Sequence, residues 1–527
     1  MEHPLQRTLS RRELLRMGGG AAVLGASTLA LGACGGGASK LTGSKSATQV
    51  RRGGTLRAAI TGGSSSDTLD AQAAVNNADF ARLAQLYETL FLYNADARLE
   101  PVLAEEITPN ADATEWTIRL RPGVTFHNGK PFTAEDVIFS LQRILSPKTP
   151  LAGANLLAPI NLRALTKVDP LTVNVPCTTP FATLPSALAN TDNYIVPTGY
   201  NPKAPVGTGP FKFKSFSPGV QSTFVRYDNY WMHGLPYLDS VVITDYADQT
   251  SQVNALISGA ADVVNLLSQS VTSEVTSGGA KLVYSPGGGF TPFTMRVDTP
   301  PFNDVRVRQA MRLIVDRPQM LDLVFGGHGA LGNDVFSIWD PEYDQALPQR
   351  SQDLPQARSL LKAAGHDNLR VNLVTSNIAQ GTILMAQVFQ QQAKSAGVTV
   401  SLQQLDVNEF YGPNYLKWPF AQDFWYYSPY LVQVSEATLP GAPFNECHFD
   451  NPTYNSLYNK ALAATSHAAQ TDAAQEMQRI DYDQGGYIIP FFSPVIDGYV
   501  DRVHGVVPSK VGVSFNDYDF RRFWLSA

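Results

Sequence analysis

Trp116–Val137 reads WTIRLRPGVTFHNGKPFTAEDV, and its punctuation decides the class of fold. Glu115–Leu120 alternates polar and apolar residues, the two-residue period of a half-buried strand. Arg121-Pro122-Gly123 then breaks the pattern. Thr133-Ala134-Glu135-Asp136 opens a helix: the Thr side chain is of the type that accepts from an early backbone N–H, and the two acids suit the positive helix end. Val137, Leu141 and Ile144 form the apolar stripe of that helix.

The same alternation of periods extends outward in both directions. Upstream, Thr55–Thr61 reads as a strand, Gly62–Asp67 as a Gly/Ser loop and Asp79–Phe91 as a helix, with Phe80, Leu83, Leu86 and Leu90 at helical spacing. Downstream, helices are predicted over Val305–Val315, Leu354–Ala364, Ile383–Ala396, Tyr454–Ala464 and Ala473–Tyr482. Gly365 and Gly397 suit left-handed stops to the second and third of these. Val371–Thr375, Val398–Leu405, Ile488–Phe492 and Val500–Val507 read as strands. Strand and helix alternate along the whole chain, so the fold class is mixed α/β.

With 527 residues the chain is too long for one compact core, and its 44% hydrophobic and 16% charged residues describe a globular protein. The net charge is −6 and no Lys/Arg-rich block stands out after residue 60, so binding of nucleic acid by a basic face is not expected. Ser10–Arg16 (SRRELLR) reads as a twin-arginine export motif, and Met17–Leu31 is a stretch of apolar and small residues too short to span a bilayer permanently. That run ends in Leu31-Gly32-Ala33-Cys34, which resembles a bacterial lipobox and implies acylation of Cys34. Residues 1–33 are therefore expected to be a signal peptide and residues 34–50, rich in Gly, Ser, Thr and Lys, a flexible tether. The mature protein would sit on the outer face of the cytoplasmic membrane, held by lipid on Cys34.

Motifs of catalysis are missing. The sequence contains no HExxH, GxSxG, Walker A or EF-hand pattern, and Gly207-Thr208-Gly209 lacks the third Gly of a dinucleotide fingerprint, so a structural turn is its better reading. None of the eight His pairs at metal-ligand spacing, and Cys177 and Cys447 read as free thiols. No enzyme activity, cofactor or metal is expected. A carboxylate pair of the glycosidase kind is not excluded by counting, because sequence carries no distance between carboxyl groups.

Several stretches resemble the family 5 solute-binding proteins, the peptide- and nickel-binding proteins of ABC importers. Trp116–Val137 is similar to the family signature nearly residue for residue. Gly207–Lys212, Arg226–Trp231 and Gly234–Asp239 form a second group, and Pro301–Ala310 running on to Asp316-Arg317 a third. The resemblance covers the chain from about residue 52. It implies a two-lobed periplasmic-binding-protein fold (type II, cluster C-like) with an extra subdomain in the first lobe. Lobe I would comprise residues 51–288 and 495–527, with the subdomain at about 94–206, and lobe II residues 289–494. Crossovers are expected near Ser285–Phe290 and Phe491–Gly498. The implied partners are a peptide or other small-molecule ligand, an ABC permease and its ATPase. A monomer is expected.

The resemblance also points to a ligand segment, and there the sequence departs from the family. Peptide-binding members hold the α-amino group with an Asp three residues after a Trp; here Trp425 matches the Trp and Ser428 stands in place of the Asp. The Thr375–Thr382 loop, where dipeptide binders carry an Arg, has no basic residue. Asp423 is the nearest substitute anion. The aromatic cluster Trp425, Tyr426, Tyr427 and Tyr430 suits flat or cationic ligands, with Tyr426 and Ser428 on one face of an assumed strand. Ser64 and Ser65 follow the first strand, at the end where α/β lobes place ligands. Candidate ligand residues are thus Ser64, Ser65, Trp425, Tyr426, Tyr427, Ser428 and Tyr430. The leading reading is a binding protein for a peptide or another small organic solute. An uncharged oligosaccharide or similar ligand, and a ligand-presenting signalling receptor, are the alternatives.

Overall fold

The structure, a computed structural model, describes residues 50–526; the export segment, Cys34 and the tether up to residue 49 lie outside the described residues. Within them the largest sheet runs Lys281–Ser285, Val495–Tyr499, Val263–Val264, Thr55–Thr61, Ser240–Tyr246, Gln221–Arg226, Phe211–Ser217. Thr55–Thr61 lies at its centre, parallel to both neighbours. Leu56, Ala58, Ala59 and Ile60 are all buried, as expected of a strand covered on both faces.

A second sheet runs Thr399–Leu405, Arg370–Ser376, Phe420–Gln422, Phe293–Met295, Tyr487–Ile488. Its core is aromatic, with the Phe293 and Phe389 rings 4.6 Å apart and Phe389 and Phe420 5.8 Å apart. The chain passes between these two sheets after Ser285, reaching the second at Phe293, and returns to the first at Val495.

A third sheet, Ala104–Pro109, Glu115–Leu120, Thr172–Pro176, Thr166–Asp169, contains the strand that opens the sequence reading. Trp116, Ile118 and Leu120 face its core together with Val137, Leu141 and Ile144 of the Ala134–Ile144 helix. At the helix start the Asp136 carboxylate accepts from the Thr133 N–H at 2.9 Å and from the Thr198 N–H at 2.8 Å. Asp136 thus caps the helix and ties it to a distant loop.

Several boundaries differ from the sequence reading. The first helix is Asn77–Leu86 and does not run on to Phe91. Tyr87 is extended, and the Gly209 N–H takes the Leu86 carbonyl at 2.9 Å. A Cβ on Gly207 would lie 2.0 Å from that same carbonyl oxygen, so only glycine permits the approach. Gly207-Thr208-Gly209 is accordingly a packing turn. Of the two late helices, Pro452–Leu462 begins and ends two residues earlier than expected, His467–Gln484 is longer at both ends, and the expected Val500–Val507 strand shrinks to Val503–His504, paired with Trp524–Leu525. Cys177 and Cys447 are free, the first half-buried and the second buried.

Buried arginines fasten these layers. Arg82 is fully buried and its guanidinium meets Asp67 at 2.9 Å, Asp79 at 3.1 Å and Asp245. One cation cannot neutralise three carboxylates, and burial pushes the Asp245 carboxyl up to about 6 despite Arg82. In the second body, the part of the chain built on the second sheet as the first body is built on the first, Arg312 donates only to backbone carbonyls, Tyr487 at 2.9 Å, Tyr482 at 2.8 Å and Gly485 at 2.7 Å among them. Removing Arg82 would leave buried acids without a counter-charge, which typically costs about 3–5 kcal/mol. Arg82→Met is expected to lower stability by about that amount in urea denaturation; a loss below about 1 kcal/mol would show that the acids carry the network without it.

Candidate functional site

A cavity of about 480 Å³ opens between the first and second bodies. Its wall draws Tyr93, Asn94 and Tyr194 from one side, Tyr427 and Ser428 from the other, and Asn516 and Asp517 from the C-terminal segment. The Tyr93 and Tyr427 rings meet across it edge to face, 6.1 Å apart at 81°. Burial raises both phenols, so they stay neutral donors. The Tyr427 hydroxyl is buried and has no hydrogen-bond partner among the described residues.

The crossing segment sets the position of Tyr427. A Cβ on Gly288 would lie 2.4 Å from the Tyr427 ring, so the ring lies directly on the glycine backbone. Gly287 next to it gives its carbonyl to the Trp339 indole N–H. Trp339 in turn carries the Lys510 ammonium over its face at 5.3 Å, and Lys510 reaches Asp96 at 3.2 Å.

Of the predicted ligand residues, Tyr427 and Ser428 line this cavity. Trp425 does not. Its backbone pairs with Phe290, N–H to carbonyl at 2.8 Å and 2.9 Å in the two directions, and its indole donates to the Glu446 carboxylate at 3.0 Å. Tyr426 is 75% exposed and leans on Phe424. Tyr430 is a core residue: it is 0% exposed and its hydroxyl donates to Asp481 at 2.6 Å. Ser64 and Ser65 lie on a surface turn outside the cavity wall. The Ser64 N–H donates to Asp67 at 2.8 Å, so this turn wraps the buried Arg82 cluster.

The reason for the difference is that the segment is not one strand. Phe420–Gln422 ends early, and Tyr430 already starts the Tyr430–Ala437 helix, its N–H bound by Asp340 at 2.7 Å. Alternation of faces therefore fails between Asp423 and Tyr430. Asp423 is no substitute anion either. Tyr411 donates to its carboxyl at 3.0 Å and Tyr415 at 2.8 Å, which holds it away from the cavity. The Thr375–Thr382 loop reaches the first body, where the Gln380 amide approaches the Leu266 carbonyl at 3.4 Å.

The sequence reading missed Tyr93, Asn94, Tyr194, Asn516 and Asp517. The first three come from segments far from Tyr427. The last two belong to Asn516–Arg522 (NDYDFRR), a dense charged run near the end of the chain that was a visible signal. Phe515, Asn516, Asp517 and Tyr518 all have left-handed backbone, φ 53°, 54°, 61° and 53°. Side-chain residues in that region cost roughly 1–2 kcal/mol each, so the surrounding structure must hold them.

A sequence model of the bacterial extracellular solute-binding proteins, family 5 (middle region), matches residues 98–436. The chain belongs to this family. It is similar to the glutathione-binding protein GsiB of Pectobacterium atrosepticum, 28% identical over 497 residues that make up 88% of this chain and 94% of the relative. GsiB of Escherichia coli K12 is 26% identical, covering 87% and 93%. Among solved structures, the binding protein AgaA of A. tumefaciens R10 in complex with agropinic acid is 25% identical, with TM-score 0.70 over 90% of this chain and 99% of that one. The fold is therefore the two-lobed one of the family, and this solute-binding protein is the substrate-binding component of an ABC importer. Among the described residues no helix is long and apolar enough to cross a membrane.

The contrast between Tyr427 and Tyr430 is testable. Burial pushes the Asp481 carboxyl up to about 7 against an ordinary 3.8, with Tyr430 and Tyr454 donating to it. The folded state keeps a proton there that the unfolded chain has released, so this share of stability is full below about pH 4 and lost as the pH rises through about 7. Tyr430→Phe is expected to cost about 1–3 kcal/mol in denaturant unfolding and to leave ligand affinity unchanged. Asp481→Asn should flatten the loss of stability between pH 4 and 7, read as the melting temperature in a pH series. Weakened ligand binding by Tyr430→Phe would return that residue to the site.

Proposed function

We propose that this solute-binding protein, lipid-anchored through Cys34 on the outer face of the cytoplasmic membrane, captures a peptide or another small organic solute as a monomer and delivers it to its permease. Residues 51–288 with 495–527 would close on residues 289–494, the subdomain at about 94–206 forming one wall of the cleft. Closure of this kind is driven only by contacts the ligand makes better in the closed form.

The observation that carries the reading is the cavity between the bodies, with Tyr93 and Tyr427 edge to face across it and the Tyr427 hydroxyl unpaired. A pocket of about 480 Å³ falls in the range that encloses a small organic ligand. Relatives that cover nearly the whole chain are glutathione-binding proteins, and glutathione is peptide-like, which supports a solute of that size and polarity.

The chain from residue 35 onward, melted with glutathione, short peptides, N-blocked peptides and oligosaccharides, is expected to gain roughly 2.7 kcal/mol from a peptide-like compound at about a hundred times its Kd. A gain from oligosaccharides alone would move the protein to the uncharged-ligand alternative. Cys34→Ser in the producing cell should move the protein from the membrane fraction to the soluble one; unchanged membrane attachment would remove the lipid anchor.

A further inference from the structure

We propose that Asp517 is the anion that pairs with a positively charged group of the bound solute, an ammonium or a guanidinium. This rests on the solute-binding reading of the cavity and names the chemistry it would recognise. Asp517 lines the cavity, and its carboxylate has no hydrogen bond or ion pair among the described residues. The charges around it are already matched. Asp519 holds Arg521 at 2.6 Å and Arg522 at 3.0 Å. Glu88 accepts from Tyr230 at 2.6 Å and from the Trp231 indole at 2.8 Å, with Arg521 at 3.5 Å. Both arginines form their ion pairs with Asp519 and Glu88, and neither forms one with Asp517 among the described residues.

A second group points to the same place. Tyr194 is 4% exposed, lines the cavity, and its hydroxyl makes no hydrogen bond among the described residues. Asp517 is the largest of the charged neighbours that raise its phenol, after burial itself. An unpaired carboxylate and an unpaired hydroxyl share one wall, while Ser428 opposite brings no charge. Asp517 is half-buried, so its carboxylate and the Tyr194 hydroxyl are both available to a group that enters the cavity.

The backbone is built to present this carboxylate. The left-handed turn is held by the Phe515 N–H to Asp497 at 3.0 Å, the Gln85 amide to the Tyr518 carbonyl at 3.0 Å and the Asn265 amide to the Tyr518 hydroxyl at 3.0 Å. Phe515 and Tyr518 are buried, and Asn516 and Asp517 between them form cavity wall. Burial and Asp519 push the Asp517 carboxyl up to about 6 against a smaller pull from the Arg521 charge, and an arriving cation would favour its ionised form.

The test pairs each cationic probe with a counterpart lacking the positive charge: glutathione with N-acetylglutathione, trialanine with N-acetyl-trialanine, N-acetylarginine with N-acetylcitrulline. Calorimetry on the wild-type protein is expected to find a charged member that binds at least tenfold more tightly than its counterpart. Asp517→Asn should erase that preference, and Tyr194→Phe should weaken it severalfold. Asn accepts left-handed backbone, so the turn should survive. At pH 8 the ligand-free Asp517→Asn protein should melt no lower than wild type, since it sheds an unpaired charge, whereas a purely structural aspartate would lower the melting point. Wild-type preference retained by Asp517→Asn overturns the proposal. If the uncharged members bind as well as the charged ones, the anchor fails and the solute-binding cavity stands. If no probe binds, both fail.

Discussion

The site hangs from one backbone junction. Phe290, in the segment that crosses from the first sheet to the second, exchanges hydrogen bonds with Trp425 at 2.8 Å and 2.9 Å, and the Ser493 N–H of the returning segment takes the Gly289 carbonyl at 2.8 Å. Both crossings and the start of the Trp425–Tyr430 stretch are therefore stitched together over a few residues. Tyr427 is two residues past that pairing and rests on Gly288. A closure of the kind proposed would pass through this junction and would move Tyr427 with it.

Charge is handled differently in the two bodies. In the first, Arg82 gathers three carboxylates, and the serine turn after the first strand is folded around them. In the second, Arg308 and Arg312 spread their donors over backbone carbonyls near the end of the long His467–Gln484 helix. These carbonyls have no intrahelical partner, so the arginines complete the helix end from outside. Arg308 is thus a buried strut, whereas Arg306 pairs with Asp304 on the surface. The cavity stands apart from both networks because Asp517 and Tyr194 belong to neither.

Local chemistry was legible where it decides local structure. The alternation of Glu115–Leu120, the break at Gly123 and the helix start at Thr133 appear where periodicity and capping put them. Boundaries failed where a distant contact intervened, as at Leu86, whose helix is stopped by the Gly207–Gly209 turn. The assumed strand from Asp423 to Tyr430 failed for a similar reason: Asp340, far away in sequence, binds the Tyr430 N–H and starts a helix there.

The sequence by itself determined the mixed α/β class and the family, because these depend on short-range periodicity and on contiguous motifs. Only the tertiary structure decided which side chains reach the cavity. Tyr93, Tyr194, Tyr427 and Asp517 come from four separate stretches of chain, and no period within any one of them encodes that they meet. Whether a tyrosine is wall or core turns on its partner. Tyr430 donates to the buried Asp481 and is lost to the core, while the Tyr427 hydroxyl has no hydrogen bond among the described residues and its ring lies on a glycine at the crossing.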